Sequence, residues 1–272
     1  MERWWLLLAM GVLYLKDFWR YRYLLYNLIS RDFKLKYRRS ILGVLWSVLN
    51  PLLMMLVMWA VFGALFPQVR GEGIDNFPMF LLCGQLLFNF FREATTLAMS
   101  SVLQSAPLLR KVYIPKYIFP LEKVCFGFVN CCFSFLALVL VMVCTRCPVH
   151  ITLPLALYPL LTLFVFSLGV GLVLATLTVF FRDVIHMWEV FTTALMYFSA
   201  IFYDPIQMGG WVQTFIKFNP MYWYITGFRR AVIYGVGFNG NMVLMCGGCA
   251  ALALGFGLLV FKKNQDKFVL YL

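Results

Sequence analysis

Long apolar runs, broken by short polar or proline-containing stretches, set the pattern of this chain. They fall near Ile41–Phe66, Phe77–Leu97, Ile118–Cys144, Leu153–Phe180, Val184–Tyr203 and Asn241–Phe261. Continuous apolarity over that length predicts membrane-crossing helices, because about 20 helical residues span a hydrocarbon core roughly 30 Å thick. The alternating pattern of a membrane β-barrel does not occur. The expected fold class is therefore an all-α polytopic membrane protein. It has six transmembrane helices, an N-terminal amphipathic interfacial region over residues 1–40, and a six-helix domain over residues 41–272.

The segments between the runs carry the more specific signals. Lys16–Arg39 mixes cations with Phe18, Trp19, Tyr21, Tyr23, Leu24, Leu25, Tyr26 and Phe33. Snorkelling cations and aromatic rings suit a helix lying at headgroup level. An anchor that only fixes topology accounts for the same residues. Trp4–Leu15 has about the length of a secretory h-region, but Lys16, Arg20 and Arg22 follow it instead of a small-residue cleavage site. It is expected to stay in the mature protein.

Ser105–Lys123 holds Pro107, Pro115 and Pro120, which forbid one continuous helix and leave short stiff pieces bearing Arg110, Lys111 and Lys116. Such a loop reads either as a docking surface or as a solvated basic loop. Between the fifth and sixth runs, Gly209–Gly210 and Asn219–Pro220 punctuate Asp204–Tyr234 into helical pieces of about 8 and 14 residues. Neither piece can span. Backbone broken at membrane depth is tolerated only under protein or beside a water-filled cavity, so two re-entrant helices forming an outer gate are one reading and an ordinary outer loop is the other. In "FFRDV", Phe180–Val184, Arg182 and Asp183 read as a local ion pair between two helices.

Charge sets the orientation. With the N-terminus inside, all but five of the 23 lysines and arginines fall in inner segments; the five are Arg70, Arg146, Lys217, Arg229 and Arg230. The positive-inside rule then puts both termini in the cytoplasm. Composition agrees with a membrane chain: 63% of residues are hydrophobic, against about 45–50% in soluble domains, and the mean hydropathy is +0.84. The net charge of +12 reports anionic headgroups more naturally than nucleic acid.

Several chemistries are missing from the sequence. There is no G-x-x-x-x-G-K-[ST] phosphate loop, no H-E-x-x-H and no G-x-S-x-G elbow, and His150 and His186 stand far apart. The eight cysteines include Cys144/Cys147 and Cys246/Cys249 at C-x-x-C spacing. Cys246 and Cys249 lie inside an apolar run and read as small packing residues, while Cys144 and Cys147 leave a disulfide open. Carboxylates in the spans are sparse, so transport, if that is the function, is expected to draw power from outside the chain. Aromatic residues make up 18% of the chain. Trp46, Trp59, Phe62, Phe66, Phe88, Phe91, Tyr197, Phe198 and Phe202 read either as packing and interface belts or as channel faces for sugar rings, since an aromatic face accepts flat or polarised partners without one fixed hydrogen-bond geometry.

Three motifs in order carry a family resemblance: "RDFKLKYRRSILGVLWSVLNPLLMMLV", "LLRKVYIPKYIFPLEK" and "FFRDV". Together with the six-span layout they resemble the transmembrane permease subunit of an ABC exporter of the polysaccharide (O-antigen or capsule) and teichoic-acid family. Lys116–Tyr117 departs from an arginine-glutamate pair common there, which bears on the docking contact. The resemblance implies a homodimer in the bacterial cytoplasmic membrane, paired with two copies of a separate ATPase subunit that binds ATP and Mg, and no cofactor bound by this chain. It implies a polyprenyl-pyrophosphate-linked glycan as substrate, received at Lys36, Arg38, Arg39, Ser40 and Gly43. It implies ATPase docking at Arg110, Lys111, Tyr113, Pro115 and Lys116, and an outer gate at Asp204, Pro205, Asn219, Pro220, Tyr222 and Trp223. The alternatives are a drug or small-lipid efflux permease of the same superfamily, or a membrane enzyme acting on lipid-linked sugars. The enzyme would need a carboxylate or histidine cluster that the sequence lacks.

Overall fold

The computed structural model describes residues 21–38, 40–65, 76–112, 114–204 and 210–271, and among them every regular element is helical. The chain divides into two compact units, Met1–Gly43 and Val44–Leu272. In the first, residues 21–37 form α1. Arg22 lies over the Tyr23 ring at 4.8 Å, Phe33 and Tyr37 meet edge to face at 4.9 Å, and Arg31 pairs with Asp32 at 2.9 Å.

The second unit contains α2 (Trp46–Leu65), α3 (Phe77–Gln104), α4 (Ala106–Leu109), α5 (Ile118–Cys144), α6 (Leu157–Phe180), α7 (Val184–Phe198), α8 (Trp211–Phe218), α9 (Pro220–Val232), α10 (Gly240–Asn264) and α11 (Phe268–Tyr271). Four segments among the described residues are long and apolar enough to cross a membrane: Gly43–Gly63, Ile118–Cys144, Leu153–Phe180 and Gly240–Lys267. The other two expected spans behave differently. At 28 residues, α3 is long enough, but Gln85, Asn89, Arg92 and Glu93 dilute its apolar surface. By contrast, α7 has only 15 residues and rises about 22 Å at 1.5 Å per residue.

The third helix, α3, is the axis of the unit and is buried along most of its length, from Phe77 to Val102. Its start is fixed by Asn76, whose Oδ1 accepts the Met79 N–H at 3.2 Å and whose Nδ2 donates to Thr145 Oγ1 at 2.7 Å. Around it stand α5 and α6, with α2 on one flank and α10 against the far side of α6. Small residues set these distances, as expected where lipid supplies no hydrophobic drive and close packing must. A Cβ on Gly169 of α6 would lie 2.3 Å from the Ala253 carbonyl carbon of α10, and one on Gly257 would lie 2.3 Å from the Gly169 oxygen. Gly171 faces Ala98 and Gly127 faces Ala94, seating α6 and α5 against α3.

The link between α6 and α7 is short. Arg182 and Asp183 are both exposed, and the ion pair expected between them is not formed. All eight cysteines are free thiols, Cys144 and Cys147 included. Cys246 is buried as a packing residue. Burial also pushes the Cys147 thiol above its ordinary value, which keeps it protonated.

Candidate functional site

Three polar constructions interrupt the apolar bundle. The first begins at Pro51 inside α2. Proline has no N–H to give the carbonyl four residues back, which here belongs to Ser47. Ser134 of α5 supplies the missing donor, its Oγ lying 2.9 Å from the Ser47 oxygen. The Ser47 hydroxyl donates to Asn130 Oδ1 at 2.9 Å, and Asn130 Nδ2 donates to Glu93 Oε2 at 2.7 Å. The Pro51 region of α2 is thereby tied to α5 and α3 by a chain of hydrogen bonds that reaches the Glu93 carboxylate.

The second lies at the end of the bundle where α3 begins. Here α7 terminates at Ser199, and Ala200 takes a left-handed φ of 52°. The last carbonyls of a helix have no intrahelical donors and take partners from elsewhere. Asn219 provides two, through Nδ2 to Phe198 O and to Ser199 Oγ, both at 3.1 Å, while its Oδ1 caps α9 at Met221 N. Arg229 of α9 provides the rest. It donates to Ala200 O at 2.8 Å, to Ile201 O at 2.8 Å, and to Phe80 O at 3.0 and 3.2 Å. The guanidinium also lies over the Phe80 ring at 3.4 Å and is 4% exposed. Among the described residues no carboxylate hydrogen-bonds to it; its partners are carbonyls, two just past the C-terminus of α7, where a cation is favoured, and one in the first turn of α3.

The third is at the opposite end. Lys116 donates to Gln265 O and lies over the Phe268 ring at 5.8 Å. Phe268 is fully buried among Val102, Leu172, Val179 and Phe261, with Leu109 and Tyr117 packed on that cluster. The Ser105–Lys123 loop and the C-terminal segment are therefore one packed assembly. Pro107 sits in the first turn of α4 and Pro120 in the first turn of α5, where a missing N–H costs nothing.

The sequence candidates distribute over these places unevenly. In the first unit, Lys36 and Arg38 are exposed, and Lys36 lies 5.7 Å from the Tyr37 ring. Ser40 Oγ accepts the Gly43 N–H at 3.1 Å, and Gly43 has a φ of +48°, a conformation that glycine adopts without a Cβ penalty. Of the basic loop, Arg110 and Lys111 are exposed, whereas Pro115 and Lys116 are partly buried. Among the aromatics, Phe88, Phe91 and Phe202 are buried in the core. Phe91 packs on Phe166 and Trp188, and Phe62 stacks on Phe202 at 5.2 Å. Trp46, Trp59, Tyr197 and Phe198 are exposed. Near the second construction, Asn219 caps α9 from which Pro220 starts, Trp223 donates to Lys217 O at 2.8 Å, and Tyr222 meets the Trp223 ring at 5.4 Å. Asp204 is partly buried. Arg39, Phe66, Tyr113 and Pro205 lie outside the described residues.

Sequence reasoning missed Arg229, which it placed among the outer cations. A signal existed: Met221, Ile225, Phe228 and Val232 make the buried stripe of α9, and Arg229 follows Ile225 at i+4 on that stripe. It also passed over Ser134 and Asn130, whose partners lie more than 80 residues away for Ser47.

Among the described residues every regular element is helical and several helices are long and apolar enough to cross a membrane, which defines a multi-pass membrane protein. Residues 23–233 match the ABC-2 type transporter family, and the chain belongs to it. It is similar to the O-antigen export system permease protein RfbA of Myxococcus xanthus, 32% identical over 224 residues, covering 80% of this chain and 83% of that protein. Two permeases of the same name from Klebsiella pneumoniae are 26% and 24% identical over 250 residues, covering 90% of this chain and 93% of each.

Proposed function

We propose that this chain is the permease of an ATP-driven exporter that moves a polyprenyl-pyrophosphate-linked glycan, an O-antigen-like polysaccharide or a teichoic acid, across the bacterial cytoplasmic membrane. The observation that carries this reading is the similarity, over nearly the whole chain, to permeases named for O-antigen export. A separate ATPase subunit supplies the energy, consistent with the lack of a phosphate loop. Two permeases and two ATPases form the working unit, with both termini cytoplasmic.

The exposed surface of α7 supports a second copy. His186, Met187, Glu189, Val190, Phe191, Thr193 and Tyr197 are all exposed, and Thr192 alone is buried. An ionisable residue at membrane depth faces a partner or a water-filled cavity, not lipid, so Glu189 belongs on a covered or channel-lining face. In this reading α3 and α7 complete a six-span bundle, α8 and α9 are the re-entrant pair, and the exposed Trp46, Trp59, Tyr197 and Phe198 supply channel faces. Residues 36–43 receive the carrier's pyrophosphate, Arg110 and Lys111 meet the ATPase, and Asn219, Tyr222 and Trp223 belong to the outer gate.

Deleting the gene in its own host tests the assignment. Surface glycan should disappear while lipid-linked glycan accumulates inside, and the intact gene should reverse both. Normal surface glycan in the deletion strain would refute the proposal.

A further inference from the structure

The buried Arg229 makes four side-chain hydrogen bonds to backbone carbonyls. Its guanidinium joins three elements: Phe80 at the start of α3, Ala200 and Ile201 beyond the end of α7, and α9 itself. The fold makes room for it at two positions. A Cβ on Gly84 would lie 2.7 Å from Arg229 Nη2 and 3.2 Å from Ile201, so glycine there clears the path of the guanidinium. Ala200 reverses the backbone with φ 52°, which turns its carbonyl and that of Ile201 onto one cation.

Most of α7 is exposed and only Thr192 is buried; one face, through Trp188, Leu195 and Met196, packs against the core. The C-terminal end of α7 is held by hydrogen bonds to α9, two from Asn219 and two from Arg229. The helix that ends here also presents Tyr197 and Phe198, and α9 presents Tyr222 and Trp223. We infer that Arg229 is the positioning residue of the outer gate: its guanidinium clamps the α7 terminus to α9 and α3, and so sets the gap between the aromatic residues on α7 and those on α9. This inference rests on the gate reading given above. Arginine is suited to the task because its planar fork of N–H donors reaches three carbonyls at once, one more acceptor than the two that the Asn219 amide serves.

The test is nucleotide-free leakage of carboxyfluorescein from phosphatidylethanolamine–phosphatidylglycerol vesicles containing the permease assembled with its ATPase. Arg229→Met and Gly84→Ala are compared with wild type, with Tyr222→Ala combined with Trp223→Ala as the gate control. Gly84→Ala keeps the charge but displaces the guanidinium, so it decides the matter if Arg229→Met does not assemble. The expected result is at least fivefold faster leakage from assembled Arg229→Met or Gly84→Ala, with Arg229→Lys between them and wild type. Hydrogen exchange should rise at least tenfold at residues 199–204 and stay unchanged in α5 and α6. If the aromatic control leaks and Gly84→Ala stays sealed, the positioning role of Arg229 is overturned. If the aromatic control itself stays sealed, the gate reading fails and the inference falls with it.

Discussion

Proline 51 leaves a measurable trace in the stability of the bundle. Its missing N–H strips the Ser47 carbonyl of its helical partner, and Ser134 Oγ replaces it at 2.9 Å in a buried setting. Ser134→Ala should therefore strand a buried carbonyl, which costs about 1–3 kcal/mol in general. Hydrogen bonds between membrane helices average about 0.6 kcal/mol and reach about 1.7, so the lower half of that range applies. In a Pro51→Ala background the new N–H at position 51 restores the helical bond to Ser47. There the same Ser134→Ala change should cost under about 0.5 kcal/mol. The four proteins form a double-mutant cycle, read by equilibrium unfolding of the purified chain in mixed micelles. The Ser47–Asn130–Glu93 chain is present in all four and cancels. A coupling of about 1 kcal/mol is expected, above the roughly 0.3–0.5 kcal/mol scatter of independent sites. Additive effects within that scatter would show that Ser134 does not serve the proline's orphaned acceptor.

Three further outcomes follow from other parts of the molecule. Gly169→Ala should separate α6 from α10, because its Cβ would meet the Ala253 backbone at 2.3 Å; a loss of about 1–3 kcal/mol in the same unfolding assay is expected, while Gly255→Ala, with open space around it, should be neutral or slightly stabilising. Charge reversal at the exposed Arg110 and Lys111 should reduce co-purification of the ATPase, and undiminished assembly would remove these residues from the docking surface. Arg38→Ala with Arg39→Ala should reduce glycan export several-fold with membrane insertion unchanged, each cation contributing about 1 kcal/mol toward an anionic lipid surface; export at the wild-type rate would detach residues 36–43 from carrier recognition.

Much of the helical layout was legible because hydrocarbon imposes a simple rule on length and apolarity. Ile118–Cys144 and Leu153–Phe180 were readable at their boundaries, and Gly209–Gly210 with Asn219–Pro220 marked the two short helices that became α8 and α9. The central place of α3 was not legible, since Arg92 and Glu93 make it look less apolar than helices with far more exposed surface. Side-chain roles were harder. Lys116 resembled a surface docking cation, yet its partners, Gln265 and Phe268, lie about 150 residues onward, a pairing no local pattern encodes. Phe88 and Phe91 resembled channel rings but pack inside the core, because periodicity identifies a helix face without saying what covers it. Arg229 shows the converse: its place on the stripe with Ile225 was readable, but the carbonyls that make burial tolerable come from α3 and from the segment after α7.

Reconstitution tests the central claim most directly. The purified permease and its ATPase are placed in vesicles with the host's polyprenyl-pyrophosphate-linked glycan, and glycan exposed on the far leaflet is measured with a membrane-impermeant lectin or glycosidase. The account predicts translocation that requires both subunits and hydrolysable ATP, with ATPase activity stimulated by the lipid-linked glycan. ATP hydrolysis that ignores the glycan, with no polymer reaching the far side, would contradict it.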